Sequence, residues 1–403
     1  MKIYRLLPLL LLPALPVAVQ AQFTYTTNSD GSLNLSSFAG TNGIVVVPDT
    51  TNGLPVTSIG VTAFWNHPYL TNVVVGTNVT SIGNQAFFSC FNLITVTIQN
   101  PNIITNIGSG AFYKCYSLSS FVLPNDLGTI ASALFENCSN LTSILIPDSV
   151  TNIGSQAFYN CGITNVVLGT NIANIANSTF QYCYNLASVT IANGVTNIGQ
   201  YAFSGCAFTN ISIPNSVTTI GNFAFGLCPN LASITIPNNV RNIGAGLFLS
   251  CSNLITTTLS SALTAIDGGM FQQCTRLGSV YFLGNAPVAG GSATAYAHAT
   301  AYYLPGTTGW GTLLGTWPTV LWNPQAQLGD GFFGVQNNQF GFTIAGSSNL
   351  VIVVRACTDL SNPVWPPVST NTLNTYVGTN GTSYFSDPQW TNHPNRFYGF
   401  SWQ

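Results

Sequence analysis

Nine of the ten cysteines in this 403-residue chain stand at positions 90, 115, 138, 161, 183, 206, 228, 251 and 274, in steps of 22 to 25 residues. Each follows a phenylalanine by three positions. The pairs are Phe87 and Cys90, Phe112 and Cys115, Phe135 and Cys138, Phe158 and Cys161, Phe180 and Cys183, Phe203 and Cys206, Phe225 and Cys228, Phe248 and Cys251, and Phe271 and Cys274. Phe64 adds a tenth copy with His67 in the cysteine's place, and an isoleucine stands five residues before every one of these phenylalanines, from Ile59 to Ile266. A copy this short cannot bury its own apolar residues. Only stacking the copies makes a continuous core, so the period dictates a quasi-one-dimensional fold.

After each cysteine the apolar spacing is L-x-x-L-x-L, as in Leu141, Ile144 and Ile146 or Leu231, Ile234 and Ile236. A period of 20 to 29 residues with this spacing is the signature of a leucine-rich repeat solenoid. The two 22-residue steps arise where Ile163 and Phe208 follow their cysteines by two positions instead of three, a deletion placed in a turn. The spacing predicts a strand at positions such as 143 to 146, paired in parallel with its equivalents. Pro-Asn and Pro-Asp steps such as Pro147-Asp148 and Pro214-Asn215 end the strands. The A-F-x-x-C stretch is expected to form a short helical turn on the opposite side, with Phe and Cys pointing inward. The cysteines then read as a column of small buried thiols. Occasional bridges between adjacent coils are the alternative in an oxidising setting. No C-x-x-C pair, and no His or carboxylate at ligand spacing, suggests a metal or any other cofactor.

Val79-Thr-Ser-Ile-Gly83 with Ala86-Phe87 and Cys90, and Val217 to Ile220 with Ala224-Phe225 and Cys228, resemble the BspA-like leucine-rich repeats of bacterial secreted and cell-surface proteins. The resemblance covers roughly residues 23 to 323. It implies a repeat solenoid and a role in adhesion or protein binding. Departures are His67 for cysteine, Ala131, Ala176 and Asp267 for the glycine that usually follows isoleucine, and Thr257 for an apolar strand residue.

The ends do not repeat. Residues 1–21 place Lys2 and Arg5 before a short apolar run closing on Ala21, which reads as a cleaved signal peptide and makes the mature protein secreted or extracellular. No later segment is long and apolar enough to span a membrane. Residues 22–58 read as a hairpin and first coil, 59–283 as about ten coils of 22 to 25 residues, and 284–323 as a C-terminal cap. In that cap Trp310, Trp317 and Trp322 cover the last coil or offer a sugar-stacking platform. Residues 324–403 alternate in short strands and suggest an antiparallel β-sandwich of immunoglobulin or fibronectin type. The predicted fold class is therefore mainly β, a solenoid followed by a sandwich. No sortase motif or terminal anchor is recognised.

Charged residues make up only 4% of the chain. Without Lys2 and Arg5, five basic residues face nine acidic ones, too few cations for a nucleic-acid surface. Glu136 is the only glutamate, the aspartates are scattered, and no hydrolase, protease or nucleotide-binding motif occurs. An enzyme is not expected. The residues proposed to face outward on the strand side are Thr97, Thr190, Ser212, Thr235 and Thr258, on a nearly uncharged sheet of ten or more strands. That face suits a macromolecular partner, protein or polysaccharide. Alternatively the C-terminal module binds carbohydrate or attaches the protein to a surface through Trp365, Trp390, Trp402 or Tyr384, with the solenoid as a spacer. Arg396 reads as a structural hydrogen-bond donor.

Overall fold

Each coil runs through three sides, and the hydrogen bonds between coils decide what each side becomes. The computed structural model describes residues 22–402, apart from 267, 291, 296, 347–350, 362, 373–380 and 394. The signal segment at 1–21 and Asp267 lie outside the described residues, as does the side chain of Trp402.

The first side carries two-residue strands such as Ser81–Ile82, Asn152–Ile153 and Asn197–Ile198, paired in parallel and in register. Here the residue after isoleucine closes against the previous coil. The Gly154 N–H donates to the Ile130 carbonyl at 2.8 Å, and a Cβ on Gly154 would lie 2.5 Å from the backbone nitrogen of Ser132. Where alanine replaces this glycine the ladder gives way. Asn106–Ile107 does not pair with Thr129–Ile130, the coil of Ala131, and the coil of Ala176 keeps only the Ile153 to Ile175 pairing toward the coil before it. A third interruption separates Asn242–Ile243 from Ala265–Ile266, which precedes Asp267. Gly154→Ala is therefore expected to cost about 1–3 kcal/mol, since the added methyl meets backbone that cannot yield. Thermal unfolding checks this, and an unchanged midpoint would show that the coils separate there freely.

The second side, A-F-x-x-C, is not a helical turn. No α-helix occurs among the described residues. In all ten coils the residues two before and two after the phenylalanine have positive φ, for example Gln85 at 54° and Ser89 at 58°. Alternating handedness directs every second N–H to the next coil: Gln85 to Ser109 O, Phe87 to Ala111 O and Ser89 to Tyr113 O, at 2.8–2.9 Å. The intervening N–H groups close turns three residues back, as Cys90 does onto Phe87 O. Most residues bearing this positive φ are not glycine, at a cost of about 1 kcal/mol each. The uninterrupted hydrogen-bond ladder offsets that cost.

Inside this side the phenylalanines stack. From Phe64 to Phe271 the ring centroids follow at 4.8–6.5 Å with interplanar angles of 3–26°. Phe38 closes the stack at one end, 5.3 Å from Phe64, and Trp317 at the other, 5.3 Å from Phe271. The Trp317 indole N–H donates to Ala297 O at 2.7 Å, so a fully buried ring leaves no polar atom unmet. Phe38 belongs to the N-terminal hairpin, Phe23–Thr27 with Leu33–Phe38, whose second strand pairs in parallel with Leu54–Ile59. Counting a coil at each end beside the ten with phenylalanine, the solenoid has about 12 turns.

The cysteines follow the same rule from coil to coil. The Cys161 thiol donates to Phe135 O at 3.0 Å, Cys183 to Phe158 O and Cys206 to Phe180 O, and each of the nine repeat cysteines bonds the phenylalanine carbonyl of the coil before it. All ten cysteines are free and buried, so the column holds thiols and no bridges. His67 reaches the Phe38 backbone in the same way, which explains how it stands in for cysteine next to the cap.

The third side carries the L-x-x-L-x-L residues, and here the expected single sheet of ten or more strands is corrected. It is divided into three groups. Ile44–Val46, Asn72–Val75 and Thr95–Ile98 form one, Asn165–Val167 and Ser188–Thr190 a second, and the third runs from Ser233–Thr235 to Trp317–Leu321. Residues 143–146 form no strand, and neither do 119–123 or 209–213. Phe121, Leu123, Ile144, Ile146, Ile211 and Ile213 in these segments still turn inward, so packing holds these coils where backbone pairing does not.

The C-terminal module consists of two antiparallel sheets. Gln339–Gly346 pairs with Gln325–Gln327, Gly334–Gln336 and Gly381–Asp387, while Val351–Cys357 lies between Pro367–Thr372 and Phe397–Trp402. Phe342 packs between the sheets, its ring 5.1 Å from Phe385 and 6.1 Å from Phe400. The module is docked onto the solenoid. Tyr281, Tyr302 and Trp322 form one buried cluster with Phe342, Ile344, Ile352, Val354 and Phe385.

Candidate functional site

In each L-x-x-L-x-L segment the residue between the last two apolar positions must point away from the core, because side chains alternate along an extended chain. Parallel register aligns these residues within each paired group, and the repeat spacing alone places Val122, Leu145 and Ser212 in the same column. From the N-terminal end it reads Val46, Val74, Thr97, Val122, Leu145, Val167, Thr190, Ser212, Thr235, Thr258, Tyr281 and Tyr302.

Thr97, Thr190, Ser212 and Thr235 are exposed, though Ser212 belongs to an unpaired segment rather than to a strand. Thr258 is a correction: it is only 2% exposed. It lies beside Tyr281, and Tyr281 and Tyr302 are the outward residues onto which the module closes. Burial there pushes the Tyr281 hydroxyl up to about 12. Thr257, the polar residue on the inner side, is buried too, and its hydroxyl is satisfied by Ile234 O at 3.0 Å. Beside the module, Ser212, Thr235 and Thr258 help to line a groove of about 380 Å³ together with Asn210, Asn215 and Ser233.

Choosing hydroxyl residues missed the apolar half of the column. Val122, Leu145 and Val167 are 74%, 82% and 65% exposed on three successive coils. The signal was present in the repeat register, since they occupy the same position as Thr97 and Thr190. Single exposed apolar residues need no explanation, but three in one row form a patch of the kind that marks an interaction surface.

Other candidate residues are dispersed. Phe87, Cys90 and their equivalents in every later coil are buried. Burial pushes the Cys183 thiol up to about 12, so it is no nucleophile at neutral pH. Glu136 is half-buried on the second side, where burial raises its carboxyl and nearby Lys114 lowers it. Among the described residues no group of three His, Cys, Asp or Glu side chains is placed to hold a metal ion. No helix among them is long and apolar enough to cross a membrane. Trp310 stacks on Tyr303 at 4.9 Å and Trp322 is buried beneath the module, so the three cap tryptophans cover the last coil and form no open platform. In the module, Trp365 packs against Gly399, Tyr384 is 44% exposed, and Trp390 is half-buried with its N–H donating to Asn338 O at 3.0 Å.

A family model described as the BspA type leucine rich repeat region, in six copies, matches residues 57–187 and 173–297. Comparison with curated proteins gives no match. Among solved structures, a leucine rich cell surface protein from Faecalibacterium prausnitzii is 25% identical, with a TM-score of 0.41, over 66% of this chain and 94% of that one. A leucine rich repeat protein from T. pallidum is 26% identical, with a TM-score of 0.42, over 58% and 88%. The pneumococcal vaccine antigen PcpA is 17% identical, with a TM-score of 0.40, over 71% and 92%.

Proposed function

Because this chain belongs to the BspA-type leucine-rich repeat family, we propose that it is a non-enzymatic binding protein of the bacterial surface or its surroundings, which docks a partner protein on the strand side of its solenoid. The observation that carries this reading is the exposed row Val122, Leu145 and Val167, flanked by Thr97 and Thr190. An apolar row with a neutral, hydrogen-bonding rim has the anatomy of an interface centre, where a few residues dominate affinity. The binding region lies within residues 59–283, and residues 324–403 act as a docked module that closes one end of the face.

Leu145→Asp tests this. The side chain is 82% exposed, so the fold tolerates the change, while a charge in the middle of a dry contact costs about 2 kcal/mol or more, a loss of roughly 30-fold in affinity. The immobilised full chain is expected to retain a defined surface or matrix protein that the variant releases. Retention should change little between low and high salt, because no charged pair is involved. Equal retention by wild type and variant would remove the row from the interface.

A further inference from the structure

Along the outward column of the strand side the chemistry changes at Thr190. Val122, Leu145 and Val167 before it are apolar, while Thr190, Ser212, Thr235 and Thr258 carry hydroxyls. The groove of about 380 Å³ lies in this second half and spans three coils. Between the first two of them the backbone is open. Residues 210–213 make no backbone hydrogen bond to 233–236, although the coils are tied at both ends of this gap: the Ala232 N–H donates to Thr209 O at 2.8 Å, and Asn239 Nδ2 donates to Asn215 O at 2.7 Å. The one-residue deletion after Cys206 falls directly before this segment. An inserted partner strand would need a further strand spacing of about 4.8 Å, which the tied ends deny it.

The walls of the groove hold unspent hydrogen-bonding capacity. Elsewhere on the solenoid, threonine hydroxyls serve the fold: Thr151, Thr196 and Thr218 donate to carbonyls of the preceding coil at 3.2–3.3 Å. In the groove, the side chains of Asn210, Ser212, Asn215, Ser233, Thr235 and Thr256 make no hydrogen bond to any described residue. Asn210, Ser212, Asn215 and Thr235 are exposed and Ser233 and Thr256 half-buried, so all six keep surface that a ligand can reach. Each hydroxyl and each amide can both donate and accept. No charged or aromatic residue lines the groove, and the isoleucines of its floor, Ile211, Ile213 and Ile234, are buried. A ligand that fits is uncharged, dense in groups that donate and accept, and free of large apolar anchors.

We propose that this groove binds a neutral polysaccharide, whose hydroxyls exchange hydrogen bonds with these six side chains. Its volume falls within the range of about 300–1,000 Å³ usual for small-molecule sites, which leaves room for a short stretch of the sugar chain. The strand side then offers two surfaces of different chemistry, an apolar row for protein and a hydroxyl groove for glycan. The second stands or falls separately from the first.

Calorimetry on the full chain with cellohexaose, laminarihexaose, mannohexaose and hexaglycine tests the proposal, hexaglycine offering main-chain groups alone. At least one of the sugars is expected to bind, at least about tenfold more tightly than hexaglycine. Its affinity should be the same at low and high salt, because no charge takes part. The double variant Ser212→Ala with Thr235→Val removes two hydroxyls that carry no bond of the fold. It should weaken the sugar by about tenfold or more while the thermal unfolding midpoint stays in place. Binding of none of the three sugars overturns the proposal. So does a double variant that binds as the wild type does, a steep loss of affinity with salt, or hexaglycine bound as tightly as any sugar.

Discussion

Raising the pH past 9 is expected to unfold the solenoid. Burial pushes the thiols of Cys90, Cys115, Cys138, Cys161, Cys183, Cys206 and Cys274 well above their ordinary 9.0, and hydrogen bonding with Cys228 together with burial does the same at Cys251. In the unfolded chain these thiols lose their protons near 9.0, while the folded chain keeps them until about 12, the value at Cys90 and Cys183. Between those limits the unfolded state binds fewer protons, so stability is complete below pH 9 and falls as pH rises. At pH 10 each thiol contributes a loss of about 1 kcal/mol. Eight acting together reach on the order of 10 kcal/mol, the whole stability of a typical domain. Circular dichroism at equilibrium should show a flat baseline up to about pH 8 and a cooperative loss of structure between about pH 9 and 10, with thiolate absorbance appearing together with unfolding. Thiolate absorbance in the folded protein below pH 9 would show that the column is open to water.

Phe158→Ala is expected to be the most damaging single substitution. The ring lies 5.7 Å from Phe135 and 5.4 Å from Phe180 and is completely buried, so its removal leaves a cavity bounded by two other rings. Phe→Ala in such a site costs about 3–5 kcal/mol. Phe158→Leu fills much of the gap and should cost less. In a solenoid the loss also weakens coupling between the coils on either side. Urea unfolding measures both effects. A cost under about 1 kcal/mol would mean that the stack contributes little to stability, and equal costs for the two variants would mean that cavity volume is not the source of the loss.

The period made most of the core legible, because a side chain that recurs every 22 to 25 residues has to meet its own copies. What the period could not convey was backbone conformation. Gln85, Ser89, Tyr182 and Leu227 adopt positive φ although their residue types give no hint of it. The demand comes from the next coil's carbonyls and not from local sequence, and so the expected helical turn was wrong. The glycine position carried more information than its high occurrence suggested. Ala131 looked like a minor departure, but one methyl group facing backbone coincides with a broken ladder. At the face proposed for binding, the register already held Val122, Leu145 and Val167, and a preference for hydroxyl groups passed them over. The burial of Thr258 was less accessible, since it depends on a module outside the repeat. The change from threonine to Tyr281 and Tyr302 in the same column was its one trace in the sequence.

The joint between the coils of Phe112 and Phe135 combines two of these features. The first-side ladder is broken there, the strand-side segments 119–123 and 142–146 are unpaired, and the backbone bonds that remain run from residues 110–116 to 132–140 on the second side alone. Across this joint the contact that backbone bonds carry elsewhere falls to the core, where Phe112 and Phe135 stack at 5.6 Å and Phe121 packs against both rings at 4.9 and 5.2 Å. In a solenoid whose coils couple only to their neighbours, the joint crossed by the fewest backbone bonds is where local opening is expected to begin.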